Sequence, residues 1–286
     1  MKFDFHIHSV FSDGSSKVEE IFEIAQKNCL SALAITDHDT ILGLEVVNKM
    51  SKKYSIPFVP AVEFTAVENN LKFHVLAYNI DFRSEELRKY SNNLLNYLNN
   101  KSKQEIKLMQ ANGIEIHEEE FFKESYGGPL YRAKLLKTLT KYGYLKQEEI
   151  MSSLKAFFGK DAPYYMEDTY DYYDFHQICN LIKRNGGIIV LAHPGKIKKK
   201  DGGLYKELIN SELLDGIEIY HPANNDEVQN ELMNIVSRKN MIFTGGSDYH
   251  GDYNRRKTPI CGIWLPDEVY YNLEPYMINS PSIGGH

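Results

Sequence analysis

Apolar and polar residues alternate along several short segments of the chain, and this two-residue period is typical of β-strands. The first segment, FDFHIHS, places aromatic and aliphatic side chains on one side and Asp and His on the other. Further segments of strand length follow. We predict strands at residues 3–8, 32–36, 57–62, 71–79, 187–192, 216–220 and 241–244.

Apolar residues at spacings of three and four predict helices between most of these strands. Ser15 or Ser16 can cap a first helix that continues to about Asn28, and a second helix is expected at 42–54. The strand pattern then stops for residues 81–173. In that part the periodicity predicts helices at 84–112, 131–142 and 147–157.

Seven strands alternating with helices predict an α/β fold, a closed or nearly closed parallel barrel interrupted by a helical insertion. The expected division is residues 1–80 for the first part of the barrel, 81–173 for the insertion and 174–286 for the second part. The carboxyl ends of barrel strands meet at one face, where active sites are built.

The composition narrows the class of protein. The 286 residues are 42% hydrophobic and 25% charged, with a formal net charge of -6, which excludes a disordered tail and a strongly basic nucleic-acid binder. The longest apolar stretches have only the length of strands, and the first residues lack the apolar core of a signal peptide. We therefore predict no membrane partner and a cytoplasmic location. An anionic ligand would need a local cationic site.

Histidines and carboxylates lie at the ends of the predicted strands or in the loops that follow. His74 instead lies within the fourth strand, where alternation with its neighbours turns it to the inner face. An isolated histidine is more often structural, but a set of this size at one face would otherwise need many buried partners. The candidate metal ligands are His6, His8, Asp13, His38, Glu63, His74, His193, Asp248 and His250.

The spacing and type of these residues indicate the metal. His6 and His8 lie on the same side of a strand with Cα atoms about 6.5 Å apart, so both can chelate one ion. Imidazole and carboxylate ligands without sulfur suit Zn, Mn or Fe rather than Ca. The candidates exceed the needs of one tetrahedral ion, so we predict roughly two to three divalent transition-metal ions. Their charge would supply the local attraction for an anion.

The segments HIHSVFSDGS, ITDHDT, AVEF, HVLAY, LAHPG and GGSDYHG resemble, in this order, motifs of the PHP (polymerase and histidinol phosphatase) superfamily of metal-dependent phosphoesterases. The resemblance covers roughly residues 1–80 and 174–265 and is greatest to the branch of nucleoside-bisphosphate phosphatases and short-RNA exonucleases. It implies a distorted (β/α)7 TIM-like barrel with a trinuclear site. It assigns one ion to His6, His8, Glu63 and Asp248, a second to Asp13, His38 and His250, and a third, bridged by Glu63, to His74 and His193.

The resemblance also implies hydrolysis of a phosphomonoester in a small phosphorylated metabolite, with a nucleoside bisphosphate or monophosphate as the leading substrate. A hydroxide bridging two ions would be the nucleophile, and no catalytic residue is predicted beyond the metal ligands. The leaving group also needs a proton or a metal. His221 is one candidate for its acid, and a structural role for His221 is the alternative.

Basic residues near the same face are candidates for substrate binding. Arg255 and Arg256 follow the seventh-strand motif, and Lys196 follows LAHPG; any of them could hold a second phosphate. For the lysines after LAHPG, a solvated loop is the alternative. The insertion reads GGPLYR where the related branch carries Gly-Arg-Pro-His, and Arg132 is the candidate to compensate. The tyrosines at 164–173 either stack on a base or pack the insertion against the barrel.

The leading hypothesis is therefore a metal-dependent phosphatase acting on a small phosphorylated substrate, without long nucleic acid as a partner. The alternatives are a 5′-to-3′ exonuclease on short RNA, a histidinol-phosphate-type phosphatase, an amidohydrolase and a non-catalytic regulatory PHP module. The acidic net charge and the lack of a long basic stripe disfavour the exonuclease. No metal-ligand position is missing, which disfavours the non-catalytic module.

Overall fold

Within the part of the chain that the structure describes, seven strands in two sheets form the framework of a mixed α/β fold. The structure, a computed structural model, describes residues 1–125, 129–253 and 258–278. One sheet pairs two parallel strands, and the other has five strands in sequence order. The strands are β1 (Phe3–Ile7), β2 (Ala32–Ile35), β3 (Ala61–Glu68), β4 (Leu71–Tyr78), β5 (Ile188–Leu191), β6 (Gly216–Tyr220) and β7 (Ile242–Gly245).

The prediction that all strands run parallel was wrong. β5, β6 and β7 are parallel, but β4 runs antiparallel to both β3 and β5. Asn69 and Asn70 join β3 to β4 with left-handed backbone angles φ of 51° and 61°, a conformation that asparagine tolerates in a two-residue hairpin turn. A parallel connection needs a crossover of a dozen or more residues, for which there is no room here. The third strand also lies later than the predicted 57–62.

Helices occupy most of the remaining described chain. They are α1 (Val18–Lys27), α2 (Leu44–Tyr54), α3 (Glu85–Ala111), α4 (Glu118–Ser125), α5 (Arg132–Lys141), α6 (Ile150–Phe158), α7 (Phe175–Arg184), α8 (Pro194–Lys200), α9 (Gly202–Ile209), α10 (Asp226–Lys239) and α11 (Asp267–Leu273).

Two local predictions about these helices were wrong. The residue that caps α1 is Lys17 rather than Ser15 or Ser16, and its backbone N–H donates to Glu20 Oε2 over 2.8 Å. The lysines after LAHPG lie on α8 and not in a loop. In the described ranges, no helix combines the length and the apolar character that crossing a membrane requires.

The segment between β4 and α7 has its own cluster of buried apolar side chains. Ile106 and Met109 of α3 meet Phe121 of α4 and Leu135 of α5 there. A buried lysine on α5, Lys134, ties this segment to the first β/α loop, because its Nζ donates to the carbonyl of Val10 over 2.5 Å. The predicted domain boundaries at 81 and 173 stay a prediction.

Alternate residues of the central strands pack into different apolar clusters. Val75 and Ala77 of β4 join the larger cluster with the helices, whereas Leu76 and Tyr78 join a smaller one with residues of β1, β2 and α11. His74 shares the strand parity of Leu76 and Tyr78. The polar cluster described next therefore continues the smaller apolar cluster along the same strand face.

Candidate metal centre

The nine side chains predicted to bind metal come together in one cluster. Their nitrogen and oxygen atoms form overlapping groups, with the atoms of each group within 4.8 Å of one another. His193 joins them through Nε2, which lies 2.8 Å from Glu63 Oε1. The groups are His8, Asp13, His38 and His250; His6, His8, Glu63 and Asp248; and His38, Glu63 and His74.

Glu63 lies at the centre of the cluster and contacts histidines with both oxygens. Its Oε1 is 2.9 Å from His74 Nδ1. Its Oε2 is 3.1 Å from Nε2 of both His6 and His8. Burial alone would raise the pKa of Glu63, but His6, His74 and other nearby histidines lower it well below its usual value. The carboxylate is therefore ionised at neutral pH. Glu63 is the third residue of β3, not its last as predicted.

Asp13 and two histidines form another side of the cluster. Asp13 Oδ1 lies 3.3 Å from His250 Nε2, and Oδ2 lies 3.8 Å from His38 Nε2. Burial works against the charge of Asp13, but His250 and His38 lower its pKa. Burial lowers the pKa of His38 itself to about 3, so this imidazole is neutral and can offer a lone pair to a metal.

The loops after β1 and β7 approach β1 so closely that two positions require glycine. A Cβ at Gly14 would lie 2.5 Å from the carbonyl oxygen of His8, and one at Gly246 would lie 2.4 Å from the backbone nitrogen of His6. The backbone N–H of Asp248, a residue with φ of 54°, donates to the carbonyl of His6 over 2.9 Å. These contacts hold both loops against the two histidines of β1.

His8 shows that the cluster suits a metal. Its side chain is completely buried, yet within the described chain neither ring nitrogen has a hydrogen-bond partner of proper geometry. The ring lies against those of His38 and His250, with centroids 4.6 and 4.0 Å away. Nε2 faces the carboxylates of Glu63 and Asp248 at 3.1 and 3.4 Å, but a buried ring nitrogen without a well-formed hydrogen bond is unfavourable, and metal coordination would satisfy it. The donor set of imidazoles and carboxylates without thiolates fits Zn, Mn or Fe.

Glu218 on β6 supports two of the predicted ligands and was missed in the sequence. Its Oε1 lies 2.7 Å from His6 Nδ1, and its Oε2 accepts the backbone N–H of His193 over 2.7 Å. The side chain is completely buried. A carboxylate on one ring nitrogen directs the other ring nitrogen toward a metal. The signal was present, because Glu218 is the charged residue of an otherwise apolar strand, GIEIY.

His221 acts on Asp248 rather than pointing to open solvent. The backbone N–H of Ala223 donates to His221 Nδ1 over 2.9 Å, so the ring proton is on Nε2, which lies 3.1 Å from Asp248 Oδ2. Lys196 Nζ contacts the same oxygen at 2.9 Å. The other oxygen, Oδ1, then faces His8 Nε2 at 3.4 Å. This arrangement favours the structural role for His221 over the role of leaving-group acid.

We expect His221→Ala to weaken metal binding by about tenfold, the lower end of the range for residues that orient a ligand. The loss stays modest because Lys196 still contacts the same oxygen of Asp248. Competition with a chelator measures the metal affinity. His117→Ala is the matched control, since the His117 side chain is 65% exposed on the insertion. A fall in kcat with unchanged metal affinity would contradict the structural role and favour the acid.

The predicted substrate-binding residues fall in different places. Lys196 lies beside the cluster through its contact with Asp248. Arg132, the first residue of α5, donates through Nε and Nη2 to Glu105 Oε1 over 2.9 and 2.6 Å. Arg255 and Arg256 lie outside the described residues.

A cleft of about 580 Å³ joins the cluster to the insertion. Asp13 lines it, as do residues of α3, α5 and α6. Of the tyrosines at 164–173, Tyr172 lines the cleft, whereas the ring of Tyr173 packs on Tyr90 with centroids 5.3 Å apart. Tyr164 is buried in the apolar cluster of the insertion. Tyr172 is therefore accessible to a ligand in the cleft, whereas Tyr164 and Tyr173 pack against other side chains of the protein.

The comparisons with known proteins agree with this geometry. The family model described as PHP domain matches residues 4–242. The chain is 28% identical to the phosphoribosyl 1,2-cyclic phosphate 1,2-diphosphodiesterase of Eggerthella lenta, over 92% of this chain and 98% of the relative. It is 22% identical to the 5′-3′ exoribonuclease Rnm of Salmonella typhimurium, with coverage of 87% and 85%. It is 23% identical to the 3′,5′-nucleoside bisphosphate phosphatase of Chromobacterium violaceum, with coverage of 86% of each chain.

Solved structures share the fold over the whole length. A protein of Bifidobacterium adolescentis assigned to the metal-dependent phosphoesterases superposes with a TM-score of 0.80 at 23% identity, over 100% of this chain and 99% of that one. An amidohydrolase of Chromobacterium violaceum, with bound sulfate and no metal, gives 0.78 at 19% identity, over 100% of both chains. At these identities the similarity establishes the α/β fold.

Proposed function

Because the chain belongs to the PHP domain family and is a metal-dependent phosphoesterase, we propose that it hydrolyses a phosphomonoester of a small phosphorylated metabolite of the nucleotide class. The observation that carries this proposal is the cluster centred on Glu63, which gathers imidazoles and carboxylates at distances suited to several neighbouring ions. The complete donor set argues against a non-catalytic module.

The nine residues are proposed to hold roughly two to three Mn, Fe or Zn ions. When bound, such ions would activate a water molecule and neutralise phosphoryl oxygens. The observed groups support the division of ligands that the resemblance implies. That division is His6, His8, Glu63 and Asp248 for one ion; Asp13, His38 and His250 for a second; and His74 and His193, with Glu63, for a third.

The chain itself contributes charges of defined sign around the substrate. Burial works against the charges of Asp13, Glu63 and Asp248, but the histidines around them lower all three pKa values. Without ions these carboxylates would repel a phosphate, and with divalent ions the local sign reverses. Burial also opposes the charge of Lys196, but Asp248 raises its pKa, so an ammonium group stays beside the cluster where it can contact a phosphoryl oxygen.

The substrate class is proposed from the relatives' names and the cleft. The named substrates of the Eggerthella and Chromobacterium proteins both carry phosphate on a ribose unit. A cleft of about 580 Å³ is within the usual range for one small ligand. The Salmonella relative acts on RNA, but the net charge of -6 disfavours a long nucleic acid.

A second candidate is hydrolysis of a cyclic phosphodiester on ribose. The specific observation that favours it is the greater identity to the Eggerthella diphosphodiesterase, 28% over nearly all of both chains, against 23% for the bisphosphatase. Both candidates would use the same cluster.

We also propose that residues 81–173 cap a distorted seven-stranded barrel. Isolated bridges between Ile7 and Tyr249 and between His38 and Glu63 support closure between the two sheets. The contact of Lys134 with Val10 supports a cap held over the first β/α loop, which also carries Asp13.

We expect the purified protein to release phosphate from at least one ribose phosphate and to contain roughly two to three transition-metal ions per chain. A panel of adenosine 3′,5′-bisphosphate, AMP, phosphoribosyl 1,2-cyclic phosphate, histidinol phosphate and short 5′-phosphorylated RNA separates the candidates when the products are identified by chromatography, because opening a cyclic diester releases no inorganic phosphate. Elemental analysis measures the ions, and chelator-treated protein is the control. Preference for histidinol phosphate or RNA, or a protein that binds no metal, would overturn the proposal.

A further inference from the structure

The cleft beside the metal cluster contains a nearly buried lysine from the insertion, Lys101 of α3. Its side chain is only 11% exposed, and it lines the same cleft as Asp13. Its nearest carboxylate oxygen among the described residues is Asp168 Oδ1, at 3.8 Å, which is beyond hydrogen-bond distance. Lys101 therefore has a charge neighbour but no close acceptor among the contacts that the structure describes.

The carboxylates nearest to Lys101 are already paired with other cationic side chains. Arg132 Nη2 donates to Glu105 Oε1 over 2.6 Å, so these two side chains form an ion pair with each other. Asp168 is in direct contact with Lys72, whose ammonium also lies over the ring of Tyr172. Glu105 and Asp168 thus each have a cationic partner closer than Lys101, which leaves Lys101 without a carboxylate of its own at hydrogen-bond distance in the described part of the chain. An anion in the cleft would supply that partner.

The environment of Lys101 makes that charge costly without a ligand. Burial lowers the pKa of Lys101, the nearby Arg132 lowers it further, and Asp168 only partly opposes both. A partly desolvated ammonium that lacks a close acceptor gains more from a phosphate than an exposed lysine would. Lys155 of α6 also lines the cleft and is a further cationic side chain there.

The cleft is lined by residues from two parts of the chain. Asp13, which belongs to the metal cluster, lines one side, whereas Lys101, Glu105 and Arg132 come from the insertion. The aromatic side chains of Tyr131 and Phe158 lie along the same walls. Such a cleft suits a ligand with one phosphate at the metals, a ring in the middle and a further anion at the insertion.

We propose that Lys101 binds a second phosphate of the substrate, distant from the one that is hydrolysed. The substrate class is then a ribose or nucleoside carrying two phosphoryl groups rather than a simple monophosphate. This inference rests on the proposed phosphoesterase function and goes beyond it by naming the residue that distinguishes between substrates.

The test is Lys101→Met, which keeps the length and apolar stem of the side chain but removes the charge. We expect KM for adenosine 3′,5′-bisphosphate to rise by about 10- to 100-fold, because a hydrogen bond to a charged group contributes about 1.5–3 kcal/mol. KM for AMP and kcat for p-nitrophenyl phosphate should stay within about twofold of the wild-type values. Lys101→Arg should restore most of the affinity for the bisphosphate.

Lys107→Met is the matched control, since Lys107 is exposed on the same helix. An equal rise of KM for bisphosphate and AMP, or no rise for either, would overturn the role of Lys101. Calorimetric titration of the protein as purified with the same two nucleotides compares their binding even if neither is hydrolysed. If Lys101→Met loses the preference for the bisphosphate in that titration, the role of Lys101 is supported even when the protein hydrolyses neither nucleotide.

Discussion

His8→Ala is expected to lower phosphoesterase activity by roughly a thousandfold or more and to reduce the number of bound metal ions. His8 belongs to two of the overlapping donor groups, one with Asp13 and one with Glu63. Its removal would therefore disturb more than one of the proposed ion sites. Charge stabilisation by such ions contributes several kcal/mol to a transition state, and each 1.36 kcal/mol changes the rate about tenfold.

The measurement combines phosphate release with elemental analysis of the same preparation. His176→Ala is the control, because His176 lies exposed on α7 with its Nδ1 near Asn180. Circular dichroism separates loss of the site from loss of the fold. If His8→Ala kept both its activity and its full metal content, the assignment of His8 as a ligand would be refuted.

The cluster was predictable because its residues follow the period of the strands. His6 and His8 alternate with apolar neighbours, and this alternation by itself places both on one face of β1. His193 and Asp248 each follow a strand of clear apolar character. Local pattern was sufficient here, since each residue needed only its own strand to be recognised.

The antiparallel hairpin was not predicted, although the sequence contains two consecutive asparagines that are typical of its turn. Asn69 and Asn70 separate two runs of strand character and can adopt left-handed backbone at low cost. Attention to the length of the connection would have excluded a parallel crossover. The correction leaves His74 at the cluster, because its side-chain parity is the same in either strand direction.

The contacts of the insertion could not be derived from pattern. Lys134 and Lys101 look like ordinary charged positions of amphipathic helices, and only tertiary packing buries them. A helix period shows which residues share a face but not which loop that face meets. The partners, Val10 and Asp168, are distant in the sequence.

Glu218→Gln is expected to weaken metal binding by about 10- to 100-fold, as is typical of a residue that orients a metal-ligating histidine. Glu218 accepts from two donors, His6 Nδ1 through Oε1 and the backbone N–H of His193 through Oε2. A glutamine of the same shape has one acceptor oxygen and one amino group. One of the two donors must therefore face another donor, and either His6 turns or the His193 loop shifts.

The same argument predicts how the variants should rank. Glu218→Ala leaves both donors buried without an acceptor, so its metal affinity should fall at least as far and its unfolding midpoint should fall as well. Glu207→Gln, an exposed substitution on α9, is the control for loss of a surface charge. Chelator competition gives the affinities and thermal unfolding of metal-free protein gives the stability. A Glu218→Gln variant with wild-type affinity would show that His6 keeps its orientation without a second carboxylate oxygen, and that the carboxylate contributes stability alone.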